Sequence, residues 1–209
     1  QDLKGKNMKI GIISGSHRVA SQSEKVAKYM AGQLIASGNE AWVYSLANNP
    51  LPLWDQSVWD NTKEWAGLLD PIKQELNDCD GFVIISPEWH GQVPAGLKNF
   101  FLLFSRFELG HKPALITAVS AGDGGTYPVA ELRMSSYKNN RICYIPEHLI
   151  VRHVEKILND NDADNDAHSN DYYAERIEWS LNVLLGYAKA LKNMRSETEV
   201  FHKKFGNGM

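Results

Sequence analysis

Cysteine is nearly absent: 209 residues hold only two, Cys79 and Cys143. They form no disulfide framework and no C-x-x-C pair, so a reducing, cytoplasmic compartment is expected. The seven histidines include no H-E-x-x-H, so no metal site is expected. Charge of one sign is scarce as well. A net charge of -3 implies no polyanion partner and argues against nucleic acid. No apolar stretch is long enough to cross a bilayer, and the first residues are polar rather than a signal segment, so no membrane partner is expected. No internal repeat is visible. The remaining class is a soluble globule, for which 43% hydrophobic and 22% charged residues are ordinary. The length suits one domain with a full α/β core.

Within that class the segment around Gly15 is the most informative. Ile10, Ile12 and Ile13 give a β-branched run of the kind a strand covered on both faces requires. Past Ser23 the spacing becomes helical, with Val26, Met30 and Leu34 on one stripe. Ser21 or Ser23 serves as N-cap. Between strand and helix lies a hydroxyl-rich loop, Ser14-Gly15-Ser16-His17-Arg18, which is neither a Walker A loop nor a G-x-G-x-x-G fingerprint. Hydroxyls, free N–H groups and a guanidinium at a helix N-terminus suit a phosphate dianion. The same residues also read as a capped helix with a solvated arginine.

Strands and helices then alternate. Residues 41–46 read as a second strand, and two prolines break the stretch from Asn48 to Trp54. Residues 62–77 read as a helix and 81–86 as the clearest buried strand after the first. Pro94 is placed at the first turn of a helix whose stripe is Leu97, Phe100, Phe101 and Phe104. Residues 113–120 make a fourth strand, 129–137 a helix, and a fifth strand begins at 142–145. The last helix spans about 172–194, with a seam at Ile177, Leu181, Leu184, Ala188 and Leu191. This alternation predicts a doubly wound α/β sandwich with a five-stranded parallel sheet in the flavodoxin-like order 2-1-3-4-5. In such sheets ligands sit at the carboxyl ends of the strands. The loops at residues 14–23, 87–93 and 121–127 are therefore expected on one rim. The second loop offers a rigid turn and an aromatic face, and the glycines of the third let backbone approach a flat ring. Taken alone, Trp89 and His90 read equally as a surface turn packing on the next helix. With the other two loops on the same rim, the ligand reading is preferred.

With all three loops considered, the chain resembles the NADPH-dependent FMN reductase family. The residues that carry the resemblance are Gly15-Ser16-His17-Arg18-Val19-Ala20-Ser21-Gln22-Ser23, like that family's G-S-x-R-x-x-S loop. A second set is Ser86-Pro87-Glu88-Trp89-His90 with Pro94-Ala95-Gly96-Leu97-Lys98-Asn99, like its S-P-E-Y-N … P-G-x-L-K-N element. The strand at 113–120 with its glycine loop completes the match, over roughly residues 8–145. The resemblance implies that Ser16, Arg18, Ser21, Gln22 and Ser23 hold the FMN phosphate. Pro87, Glu88, Trp89 and His90 would line the ring and its ribityl edge, Glu88 through its backbone, and Ser120 and Gly122 would close the other side. Trp89 and His90 depart from the family's usual tyrosine and asparagine, which bears on substrate range.

The implied activity passes hydride from NADPH or NADH through FMN to a small acceptor: a quinone, a flavin, an azo compound or a metal oxyanion. The flavin does the chemistry, so no catalytic side chain is assigned. The resemblance also implies a homodimer or homotetramer. The contact would use the seam of the last helix or the Trp54–Trp59 region, with core packing the first claim on the seam. Two rival expectations are a flavodoxin-type electron carrier and an inactive FMN-binding sensor. The domain is expected at residues 8–195, with flexible ends at 1–7 and 196–209. Asp160 to Asp171 mimics the spacing of a calcium loop. It lacks the required glycine, and reads as an acidic linker ending in the N-cap of the last helix. Cys79 reads as inert packing.

Overall fold

The computed structural model describes residues 7–47 and 49–209. The expected lead-in at residues 1–6, and Asn48 of the proline-broken stretch, lie outside the described residues. One parallel sheet is built from β1 (Lys9–Ser14), β2 (Glu40–Ser45), β3 (Gly81–Pro87), β4 (Pro113–Val119) and β5 (Cys143–Val151). Its order is β2-β1-β3-β4-β5, the flavodoxin-like arrangement that the alternation predicts. The three central strands are covered on both faces, and every residue of β3 and β4 is buried. That double burial explains their near-continuous apolar sequence.

Among the described residues six helices flank the sheet: α1 (Gln22–Ala36), α2 (Lys63–Asp78), α3 (Ala95–Leu103), α4 (Arg106–Leu109), α5 (Thr126–Met134) and α6 (Ala167–Glu197). Successive strand residues point to opposite faces and divide the core in two. Ile10, Ile12, Val83, Ile85, Leu115 and Val119 meet α1 and α6. Ile13, Phe82, Ile84, Ala114 and Ile116 meet α2, α3, α4 and α5. The α6 seam is spent in the first of these cores, where Ile177, Leu181, Leu184 and Ala188 are buried.

The departures from the sequence reading have local causes. α4 is closed by a capping box, in which Ser105 Oγ accepts from Phe107 N–H and Glu108 accepts from Ser105 N–H. β5 runs on to Val151 through a bulge at 145–147. Pro146 is tolerated because β5 is an edge strand, and Arg133 Nη2 donates to the carbonyls of Ile145 and Pro146, each at 2.9 Å. Asp166 caps α6, accepting from Ser169 N–H at 2.9 Å, so that helix begins before the position its apolar pattern marks. The tail crosses the lower edge of the sheet: Phe201 packs on Phe107, and Gly208 N–H donates to Asn139 Oδ1 at 3.0 Å. No helix among the described residues is long and apolar enough to cross a membrane. No group of three or more His, Cys, Asp or Glu among the described residues is placed to hold a metal ion.

Candidate functional site

The loops after β1, β3 and β4 leave one edge of three neighbouring strands, which lie about 4.8 Å apart. The first loop docks on β3, because Gly15 N–H donates to the Ile85 carbonyl at 2.9 Å. Ser16 is buried, and its Oγ accepts from Arg18 N–H at 3.2 Å. Arg18 itself is exposed and has no carboxylate partner among the described residues. Ala20, at φ +50°, turns the chain into α1. Ser21 is the N-cap, with Oγ accepting from Glu24 N–H at 3.1 Å, which leaves its own hydroxyl proton free to donate. Gln22 and Ser23 fill the first turn, whose N–H groups have no acceptor within a helix. Ser23 is buried and Gln22 half-buried. Glu24, the one acid of that turn, is neutralised by Lys28 at 2.8 Å.

Two buried atoms here, Ser14 Oγ and Gln22 Oε1, have no hydrogen-bond partner. Buried polar groups are normally paired; the Ser14 hydroxyl can donate to a phosphate oxygen, whereas Gln22 Oε1 only accepts and is not satisfied by one. Hydroxyls, open N–H groups, a helix dipole and an unpaired guanidinium are the donor set a phosphate dianion needs. The residues present fit the phosphate end of FMN.

The second loop forms a two-residue hairpin. Trp89 and Gln92 exchange both backbone hydrogen bonds, at 3.2 and 3.0 Å. His90 and Gly91 between them have φ +51° and +69°, as a type I′ turn demands. Pro87 is buried at the end of β3, Trp89 is half-buried, and His90 is exposed at the tip. The hairpin's far strand is anchored to α5, where Glu131 Oε2 accepts from Val93 N–H at 2.8 Å and Glu131 also pairs with Lys98. In the third loop, Ser120 N–H donates to Val151 O at 2.9 Å, and Ser120 Oγ accepts from Gly122 N–H at 3.2 Å. Gly122 is exposed, and a methyl group there would meet none of the described residues within 4 Å.

The loops meet in pairs. His17 stands edge-on to Trp89 at 5.8 Å between ring centroids. Glu88 Oε2 accepts from Gly125 N–H at 2.5 Å, and the Tyr127 ring lies beside Gly91. Residues 16–23 and residues 120–122 stand on β1 and β4 with β3 between, and no hydrogen bond joins the two groups among the described residues. Glu88 also links the second and third loops. Its backbone N–H is already committed to Val119 O at 3.1 Å, and it is the carboxylate that does the joining.

The sequence reading missed the corner after β5. Arg152 Nε donates to Gly124 O at 2.9 Å, and His153 Nε2 meets Asp123 Oδ1 at 2.8 Å. Lys25, one turn into α1, secures that corner by donating to Val154 O, Ile157 O and Asn159 Oδ1 at 2.7–2.8 Å; burial pulls its pKa below the usual lysine value. A strand read through Pro146 to Val151 would have placed Arg152 and His153 on the same rim.

The chain is similar to known proteins. Residues 8–156 match the family model described as NADPH-dependent FMN reductase. An NADPH azoreductase of Bacillus sp. (strain OY1-2) is 32% identical over 118 residues, 56% of this chain and 62% of that protein. A quinone reductase of Escherichia coli (strain K12) is 30% identical over 118 residues, 55% of this chain and 61% of that protein. The chain thus spans about three fifths of the length of these two relatives. In fold it is similar to a flavoenzyme NAD(P)H:(acceptor) oxidoreductase from Paracoccus denitrificans, with TM-score 0.66 and 18% identity, covering 88% of this chain and 98% of that one. The match of the family model runs from β1 through the Arg152 corner and takes in all three loops, and so the chain belongs to the NADPH-dependent FMN reductase family.

Proposed function

We propose that this protein is an FMN-dependent NAD(P)H oxidoreductase that reduces a small acceptor such as a quinone or an azo compound. The observation that carries this reading is the convergence of a phosphate-type donor set, an aromatic hairpin and a glycine loop on one rim. Held on this rim, FMN would supply the hydride-transfer chemistry between the nicotinamide and the acceptor. The chain's own residues bind and orient. Ser16, Ser21 and the first-turn amides of Gln22 and Ser23 supply hydrogen bonds to the phosphate, and Arg18 supplies the countercharge. Pro87, Trp89 and His90 give a stiff wall that excludes water, and Ser120 with Gly122 gives the opposite wall.

Two further features belong to this reading. The free cysteines suit a reducing cytoplasm. The α6 seam is consumed by the core, so the homodimer or homotetramer contact falls to the Trp54–Trp59 pair, whose rings meet at 5.4 Å. Asn99 holds that segment by accepting from Trp54 N–H and donating to Pro52 O. Leu53 and Trp59 stand 73% and 72% exposed beside it, which is costly without a second copy to cover them. The deciding experiment is anaerobic mixing of the FMN-loaded protein with NADPH or NADH. Bleaching of the yellow band within the mixing time, and its return on adding a quinone, is the expected result. A band that persists with both nucleotides replaces the enzyme with an electron carrier or a sensor.

A further inference from the structure

One peptide unit in the glycine loop is gripped at both ends by opposite charges. Gly125 N–H donates to Glu88 Oε2 at 2.5 Å, and the Gly124 carbonyl of the same unit accepts from Arg152 Nε at 2.9 Å. A trans peptide points its N–H and C=O in opposite directions, so a carboxylate on one side and a guanidinium on the other both align with its dipole. Hydrogen bonds to ionised groups are roughly twice as strong as neutral ones, and bonds in series strengthen one another. Neither Glu88 nor Arg152 has an ionic partner among the described residues.

The backbone at the clamp is also fixed sterically. Gly125 has φ +109°, and a methyl group there would fall 2.4 Å from Ile150 Cγ2. A methyl on Gly124 would fall 2.7 Å from Glu88 Oε1. On one side of the clamp, Glu88 leads directly into the Trp89 hairpin. On the other, the Arg152 corner is bonded to the loop a second and third time, from His153 N–H to Gly122 O at 3.4 Å and from Val154 N–H to Ser120 O at 3.3 Å.

We infer that Glu88 and Arg152 are positioning residues that act through the Gly124–Gly125 peptide and set the spacing between the Trp89 hairpin and the Ser120–Gly122 loop. Their effect on a flavin is transmitted by the loop and requires no contact with the ring. The inference rests on the FMN reading above. It gives a buried-edge carboxylate and a guanidinium a role in holding the ring end of the cofactor, separate from the phosphate end.

The test titrates the apoprotein and the variants Glu88→Ala, Arg152→Ala, Glu88→Gln and the double alanine with FMN and with riboflavin. Affinity is followed by quenching of flavin fluorescence, and the visible band of the bound flavin is recorded. Each alanine is expected to weaken both flavins by the same factor, about tenfold, because the clamp is remote from the phosphate. The visible band shifts, which a general loss of stability would not cause. The double variant loses little more than the worse single one, since both act on one peptide. Glutamine, whose amide oxygen still accepts from Gly125 N–H, recovers part of the loss. Losses that multiply in the double variant, or variants that bind like the parent with an unmoved band, overturn the clamp alone. A parent protein that quenches neither flavin overturns the FMN reading and the clamp's role with it.

Discussion

His17 and Gly96 interlock. The imidazole of His17 occupies the space that a side chain at position 96 would need: a methyl there would fall 1.9 Å from Nε2 and 2.4 Å from Cε1. The phosphate-type loop therefore seats against α3 and Trp89 because residue 96 is glycine. Gly96→Ala pushes an exposed side-chain ring aside rather than a backbone atom, so its stability change stays within about 1 kcal/mol, helped by alanine's better helix propensity. The loss falls on the His17–Trp89 contact, and flavin affinity drops severalfold. Adding His17→Ala to Gly96→Ala removes the clash but leaves the contact broken, so affinity does not recover while stability does. Urea midpoints together with flavin titration separate the two effects.

Gly15 presents the opposite case. A methyl there would meet the Ile85 carbonyl oxygen at 2.6 Å and Leu97 Cδ2 at 2.7 Å. A strand carbonyl cannot swing away, so Gly15→Ala forces the loop off β3. The expected cost is about 1–3 kcal/mol, read as a lower urea midpoint with an unchanged slope. A midpoint equal to that of the parent would mean that the loop does not rest on β3 as described.

Arg18 tests the phosphate assignment directly. Its guanidinium has no carboxylate partner among the described residues, so Arg18→Ala leaves the fold untouched and removes one charge-assisted contact, worth about 1.5–3 kcal/mol. FMN affinity is expected to fall tenfold or more, with a weaker dependence on salt. Riboflavin, which lacks the phosphate, should bind the variant and the parent alike. Equal losses for the two ligands would move the arginine's role away from the phosphate.

At the hairpin tip, His90 holds φ +51°, a conformation that costs an L residue roughly 1–2 kcal/mol. Asparagine tolerates it better, and Asn-Gly is a favoured pair for this turn. His90→Asn is therefore expected to raise stability by a fraction of that cost, read as a higher urea midpoint. A change in acceptor preference with no change in FMN binding would place position 90 on the substrate side of the site.

The fold was legible because burial on both faces writes itself into sequence. Ile10 to Ile13 and Phe82 to Ile85 are apolar whichever way they point, and the wrapping helices carry stripes that the sheet consumes. The three loops were legible as one rim because the doubly wound order sets the ends of β1, β3 and β4 side by side. What stayed hidden depends on distance in space. Nothing near Glu88 in sequence indicates that its carboxylate will find Gly125, and nothing near His17 indicates that it needs a glycine at 96. The end of β5 was obscured by Pro146, which reads as a strand breaker until Arg133 is seen to take up the bulged carbonyls. With that end went Arg152, the cation of the clamp.

Two buried groups on the floor of the second core make the alkaline limb of stability readable. Burial pushes the Cys79 thiol up to about 12 from an ordinary value of 9.0. Between those values the unfolded chain has lost a proton that the folded chain keeps, so stability falls as pH rises through this window. Lys112 acts in the reverse sense. Its ammonium donates to the Leu76 and Asn77 carbonyls at the end of α2, at 2.8 and 3.0 Å, and burial lowers its pKa to about 8 from 10.5. From pH 8 to 10.5 the unfolded lysine holds a proton that the folded one has shed, so this group adds stability as pH rises. The two effects nearly cancel between 9.0 and 10.5. Stability should therefore climb slightly from pH 8 to 9, stay level to about 10, and then fall as Tyr44, raised from 10.0 to about 12, adds its loss to that of the thiol. Urea midpoints at pH 8, 9, 10.5 and 11.5 trace this profile. Lys112→Met should remove the climb, so that the fall begins near pH 9, and Cys79→Ala should extend the climb past pH 9. Profiles for the two variants that run parallel to the parent throughout would show that neither group titrates across folding.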